Sequence, residues 1–222
     1  MSAPDLTGRT VLVLGAAGAM GRSAARTLAG HGARVIVADE DVAQLEAAFG
    51  ADDRFQVWEA DVTDGTHVQR LAAEFDDTEV LIHCADAGST TAVPMTAEQD
   101  LVDAFAAEVA SCWAALRHFA PAMAARGRGS IIAYSGTRAA TGGERGTRAM
   151  TSEAINQMVR EFAQELQPHG VRVNALAPAG DQDETALRFL ASDVSRHVTG
   201  ALVVIESGWS VIERIEERVG TR

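Results

Sequence analysis

Glycines stand at Gly15, Gly18 and Gly21, directly after the apolar run Thr10–Leu14. Glycine lets a backbone turn tightly and lets its amides approach a pyrophosphate at the N-terminus of the following helix. Such a triplet is weak alone, but its place between a strand pattern and a helix pattern strengthens it. Met20 lies inside the same turn. Asp39 ends the next apolar run, where a carboxylate accepts bonds from a ribose 2′-hydroxyl and repels the extra phosphate of NADP. NAD is therefore the expected dinucleotide. The competing reading of Asp39 is a cap for the helix that starts at Asp41 and Val42.

These residues need a scaffold, and the chain supplies one by alternating two periods. Strand patterns occupy residues 10–14, 35–37, 55–58, 80–82, 131–135, 171–176 and 201–205. Helical spacing occupies residues 21–29 and 41–49, recurs at Val68, Leu71, Ala72 and Phe75, and extends over two long stretches, 97–125 and 150–166. Strands separated by helices predict an α/β fold, a doubly wound parallel sheet with helices on both faces. No linker, repeat or low-complexity stretch interrupts it, so residues 1–222 read as a single domain.

Composition narrows the function classes. Hydrophobic residues make up 47% of the chain, with no apolar run near the length of a bilayer span, so a soluble globular protein and no membrane partner are expected. The N-terminus lacks a signal pattern, and Cys84 and Cys112 have no zinc spacing. A reducing cytoplasm and no metal are the expectations. A net charge of −12 disfavours nucleic acid and acidic carrier proteins as partners. All 19 basic residues are arginine, so lysine is absent, and Tyr134 is the sole tyrosine.

Several stretches carry a resemblance. They are Gly15 to Gly21, Ala60-Asp61-Val62, Leu81-Ile-His-Cys-Ala-Asp86, Gly129 to Ser135, Val171 to Pro178, and Phe189 to Asp193 leading to Thr199-Gly200. Together they resemble the short-chain dehydrogenases/reductases over essentially the whole chain. The resemblance implies a single Rossmann domain with a seven-stranded parallel sheet. It implies that Gly15, Gly18, Met20 and Gly21 line the pyrophosphate and nicotinamide side, that Asp61 and Val62 border the adenine, and that Ala85 also faces the cofactor. It further implies that the two long helices pair with those of a neighbour in a four-helix bundle.

The departures from that family bear directly on chemistry. The family turn has glycine where Ala19 stands, and a methyl group there crowds the phosphate, so NAD binding is weakened or lost. The family's Asn-Asn-Ala-Gly becomes His83-Cys84-Ala85-Asp86. The asparagine that holds a relay water falls on Glu108, and the catalytic serine on Ser135 or Gly136. The proton-transferring tyrosine falls on Arg148, and the lysine four residues on falls on Ser152; counting from the preceding strand gives Ala149 and Glu153 instead. No register restores the pair, because the chain has no lysine. The substrate lid is also short, since few residues separate Gly180 from Glu184.

The expectation is a catalytically degenerate member without the family mechanism, with Ser135, Arg148, Ser152 and Glu108 as vestigial or repurposed residues. Its expected role is a partner or regulatory subunit of an active relative. Replaced chemistry (lyase, isomerase, cyclase or dehydratase) is the alternative, drawing on Ser135, Glu108, His83 and Asp86, and an NAD or metabolite sensor is the weaker one. Arg138, Arg145 and Arg148, with Glu144 among them, read either as an anion pocket or as solvated loop charge. Trp113, Leu116, Phe119, Ile155, Met158 and Phe162 read as interface or as core, and residues 210–222 as a helical tail docking on a neighbour.

Overall fold

The computed structural model describes residues 5–84, 91, 93–136, 146–178 and 184–205. Seven strands form one parallel sheet: β1 (Thr10–Leu14), β2 (Arg34–Asp39), β3 (Phe55–Glu59), β4 (Val80–His83), β5 (Gly129–Tyr134), β6 (Val171–Ala177) and β7 (Leu202–Val204). Their order is β3-β2-β1-β4-β5-β6-β7, so the winding reverses between β1 and β4. The helices are α1 (Ala19–Gly30), α2 (Val42–Phe49), α3 (Gly65–Glu74), α4 (Glu98–Ala104), α5 (Ser111–Arg126), α6 (Gly146–Leu166) and α7 (Glu184–Ala191).

Strand side chains alternate between two buried layers, as the two-residue strand period requires. Val11, Val13, Val35, Val37, Val80 and Ile82 pack with α1, α2 and α7. Leu12, Leu14, Ile36, Leu81, Ile131 and Val173 pack with α3, α5 and α6. Each fully buried Val, Leu or Ile contributes about 1.5–3 kcal/mol, so both layers bear the stability of the sheet. Tyr134 joins the first layer, whereas its neighbour Ala133 joins the second.

Two features differ from the sequence reading. The long helical stretch at 97–125 divides into α4, a π-helical segment Phe105–Ala110 and α5, so the widened turn falls where Glu108 stands. The helix expected from residue 150 starts at Gly146, adding Arg148 to its first turns. The tail at 210–222 lies outside the described residues. Leu116, Phe119 and Ile155 are core, whereas Trp113 is 49% exposed and meets Phe162 edge-on with ring centroids 5.2 Å apart.

Two glycines at φ near +72 separate strain from crowding. Gly170 has φ +72, and a Cβ there would lie 2.3 Å from Gly127 O; Gly8 has φ +75 and open space around it. Gly8→Ala should cost only the left-handed backbone penalty, about 1–2 kcal/mol. Gly170→Ala should cost more, about 3 kcal/mol, and lower Tm by roughly 6–12 °C. Equal Tm losses in the two variants would contradict the close packing of Gly170 on Gly127.

Candidate functional site

The reversal of winding between β1 and β4 leaves a crevice at the carboxyl ends of these strands, where open α/β sheets bind ligands. The glycine turn forms one wall. Gly15 adopts φ +76, and a Cβ on Gly21 would lie 2.2 Å from Gly15 O, so both positions require glycine. Gly18 is different: a Cβ there would meet Gly15 O at an ordinary 3.5 Å, and Gly18 serves as the N-cap of α1. Ala19 opens α1 and is exposed, with Met20 half-buried behind it. The first amides of α1 have no side-chain cap, which leaves a helix N-terminus facing the crevice.

Asp39 ties this wall together. Its Oδ2 accepts from Ala17 N at 3.0 Å, and its Oδ1 accepts from Asp41 N at 3.1 Å. The α2 cap is Asp41, which accepts from Gln44 N, so Asp39 is not that cap. Arg22 was not singled out by sequence. Its guanidinium donates to Ala17 O and, at 3.3 Å, to Gln44 Oε1, placing a cation beside the turn; a charged residue directly after Gly21 was the available signal. Asp61 Oδ1 accepts from the Thr63 hydroxyl at 2.6 Å and from Thr63 N at 2.8 Å. The hydroxyl bond is the larger cause holding the Asp61 carboxyl below its usual range. Val62 packs on the second layer, and a cavity of about 270 Å³ lined by Trp58, Glu59, His67 and Arg70 flanks this edge.

The opposite wall lies between the sheet and α5–α6. Glu108 is buried in the π-helical segment and accepts from the Thr151 hydroxyl at 2.5 Å. Ser152, one residue on in α6, accepts from Gly136 N at 2.8 Å, so α6 is stitched to the end of β5. Ser135 follows β5 on the same face as Ala133, and its Oγ makes no hydrogen bond among the described residues. Neither polar atom of the buried Asn156 amide does so either. Arg148 lies half-buried in the first turns of α6.

His83 ends β4 beneath α5 and is fully buried. Ser111 gives its single proton to Ala107 O at 2.5 Å, so its Oγ receives the His83 Nε2–H at 2.8 Å. That assignment makes His83 Nδ1 a lone-pair acceptor, and it has no partner among the described residues. Burial pushes the imidazole down to about 4 and the Cys112 thiol up to about 12, so both are neutral near pH 7.

Of the expected grouping of Ser135, Glu108, His83 and Asp86, the three described members show no hydrogen bond to one another. Glu108 bonds Thr151 and His83 bonds Ser111, while Ser135 Oγ bonds neither. Ala85, Asp86, Arg138, Glu144 and Arg145 lie outside the described residues. Among the described residues no group of three His, Cys, Asp or Glu side chains forms a metal site, and no helix is long and apolar enough to cross a membrane.

Burial of His83 carries a pH consequence. Below about pH 6.5 the unfolded chain binds a proton at this residue, whereas the folded chain resists it until about 4. The associated stability is complete above pH 6.5 and disappears as pH falls to about 4, a loss on the order of 3 kcal/mol. Urea denaturation at stepped pH should show that decline, and His83→Asn should flatten it. An unchanged slope in the variant would remove His83 as its source.

The family model described as short chain dehydrogenase matches residues 9–188. The chain is 28% identical to the 2-keto-3-deoxy-L-fuconate dehydrogenase of Xanthomonas campestris pv. campestris, covering 92% of this chain and 81% of that one. It is 29% identical to the galactitol 2-dehydrogenase (L-tagatose-forming) of Cereibacter sphaeroides, covering 93% and 96% respectively. A solved short chain dehydrogenase/reductase family protein matches with TM-score 0.86 at 26% identity, over 93% of this chain and 99% of that one. Members of this family typically bind NAD or NADP. A family match that extends from the residue before β1 into α7 leaves one assignment: this chain belongs to the short chain dehydrogenase family.

Proposed function

We propose that this chain is a catalytically degenerate family member that serves as the non-catalytic partner or regulatory subunit of an active relative and holds NAD at its glycine turn. One observation carries the reading. The sole tyrosine, Tyr134, packs 3% exposed in the layer with α1 and α7, on the other side of the sheet from Ser135 and α6, and the chain has no lysine. By the family pattern the proton donor's place holds Arg148, and the lysine's place holds Ser152, whose oxygen is engaged by Gly136 N. An arginine stays protonated at any working pH and does not act as a base. Loss of a positioned acid/base group removes roughly 10²–10⁴ in rate.

The cofactor part rests on Gly15, Gly21 and Asp39. The Gly15–Gly21 contact holds α1 close against the turn, and the α1 N-terminus offers its amides to a pyrophosphate. NAD would be held and oriented there by these residues, as a bound ligand and not as a hydride donor. Asp39, fixed by two amides, favours a ribose 2′-hydroxyl over a 2′-phosphate. The partner part draws on Trp113 of α5, 49% exposed and in edge-on contact with the half-buried Phe162 of α6.

Replaced, non-redox chemistry is the second reading. Its supporting observation is the Glu108–Thr151 bond on the same side of the sheet as the unbonded polar atoms of Ser135, His83 and Asn156.

Chain isolated from its native source should co-purify with a second, active family member; isolation of the chain alone would end the partner proposal. Thermal shift at about 1 mM dinucleotide should show stabilisation by NAD greater than by NADP, with Asp39→Asn narrowing the difference. No shift with either would remove the cofactor claim. Alone, the polypeptide should not interconvert alcohols and ketones with NAD(H), and turnover at ordinary enzymatic rates would overturn its degeneracy. A non-redox conversion abolished by Glu108→Gln would replace the subunit reading with the second one.

A further inference from the structure

The end of the sheet opposite the glycine turn holds a second polar site. The segments entering β1, β4, β5 and β6 bring Arg9, Glu79, Arg128 and Arg172 around a cavity of about 190 Å³, which Asp193 and Arg196 complete from the turn after α7. Four guanidinium groups thus face two carboxylates, a local positive excess in a chain of net charge −12. Both carboxylates are already committed. Glu79 holds Arg9 at 2.7 Å and Arg128 at 3.4 Å, and Asp193 holds Arg9 at 2.5 Å.

Arg172 is the informative residue. Its Nη1 donates to Leu190 O at 2.9 Å and to Ser195 Oγ at 2.6 Å, and its Nη2 donates to Ser192 O at 3.2 Å. All of these acceptors are neutral, and among the described residues no carboxylate lies within ion-pair distance of it. Burial pushes this guanidinium down from its ordinary value, with the nearby Asp193 acting in the opposite direction. A guanidinium carries five N–H donors, so Nε and one Nη2 hydrogen remain for another acceptor. Arg196 is exposed on the rim, and its guanidinium makes no hydrogen bond or ion pair among the described residues. Partly buried cations with spare donors are favourable partners for oxyanions, which accept charge-assisted, bidentate bonds.

We propose that this cavity is a binding site for a small oxyanion, a phosphate group, held by Arg172, Arg196 and Arg128. The cavity is smaller than the roughly 300–1,000 Å³ of pockets for drug-sized ligands, so it admits the phosphate group and not a dinucleotide. A tetrahedral oxyanion can face three guanidinium groups at once, whereas a carboxylate offers two oxygens in one plane. The site is separate from the crevice at the carboxyl ends of β1 and β4, and it stands whether or not NAD binds there.

The test titrates inorganic phosphate into the full chain and follows Tm, with potassium chloride at matched ionic strength as the reference. Phosphate should raise Tm with the logarithm of its concentration above Kd, by about 3 °C at tenfold its Kd, and chloride should not. The double variant Arg128→Gln, Arg196→Gln should fold normally in chloride and lose that rise. Exclusion of phosphate from the protein surface acts on both chains alike, so it cannot imitate this difference. Arg54→Gln, which removes the ion pair with Asp52 and a contact with the Phe55 ring away from this cavity, should keep the response. Matching curves for phosphate and chloride, or a response retained by the double variant, would overturn the site. Acetate acting as strongly as phosphate would overturn the choice of ligand.

Discussion

Along β5, successive side chains leave the backbone on opposite sides, and a sheet packed on both faces cannot relax that rule. Ile132 and Tyr134 go to the layer of α1 and α7; Ile131 and Ala133 go to the layer of α5 and α6. Moving Tyr134 across would require a one-residue slip of the strand, which would carry every buried neighbour with it. The ladder to β6, in which Tyr134 opposes Leu176 and Ser135 N donates to Leu176 O at 2.9 Å, opposes such a slip. A single packing constraint thus separates the only phenol of this chain from α6.

The same two-layer packing explains why the glycine turn survives beside so much change. Gly21 lies against Gly15 O because α1 must descend closely on the sheet to bury Ala24, Ala25 and Leu28. The requirement at Gly15 and Gly21 is therefore structural first, and it persists whether or not a ligand is held. Across the crevice, Glu108, Thr151 and Ser152 are buried polar groups that have found partners in one another or in the backbone. Buried polar groups are costly unless bonded, so these contacts knit the layer as firmly as they would orient a ligand.

Most of the fold was legible because its signals are local and periodic. Strands such as Thr10–Leu14 and Val171–Ala177 are short apolar runs, and the glycine turn sits at the boundary between two periods. Element limits were less legible. Gly146 and Thr147 carry no start signal, yet α6 begins there, and the π-helical segment at Phe105–Ala110 has ordinary helix composition. Roles that depend on long-range packing were least legible. His83 reads as a polar strand end facing a cleft, and only the position of α5 shows it bonded beneath Ser111. Arg9, Arg128 and Arg172 are scattered in sequence, and parallel strands bring them to one end of the sheet, where Arg196 joins them from the turn after α7.

The π-helical segment also sets a length that the chain cannot alter freely. An ordinary helix advances roughly 100° per residue, so trimming the widened turn by one residue would rotate everything after it by that angle. Cys112, Leu116, Phe119 and Met123, now all facing inward, would swing toward solvent together, and the acidic group at 108 would lose its alignment with Thr151. The extra residue acts as a phase shim between two rigid rods: substitutions within it can be absorbed, but a change in its count would misalign the whole second half of the helix.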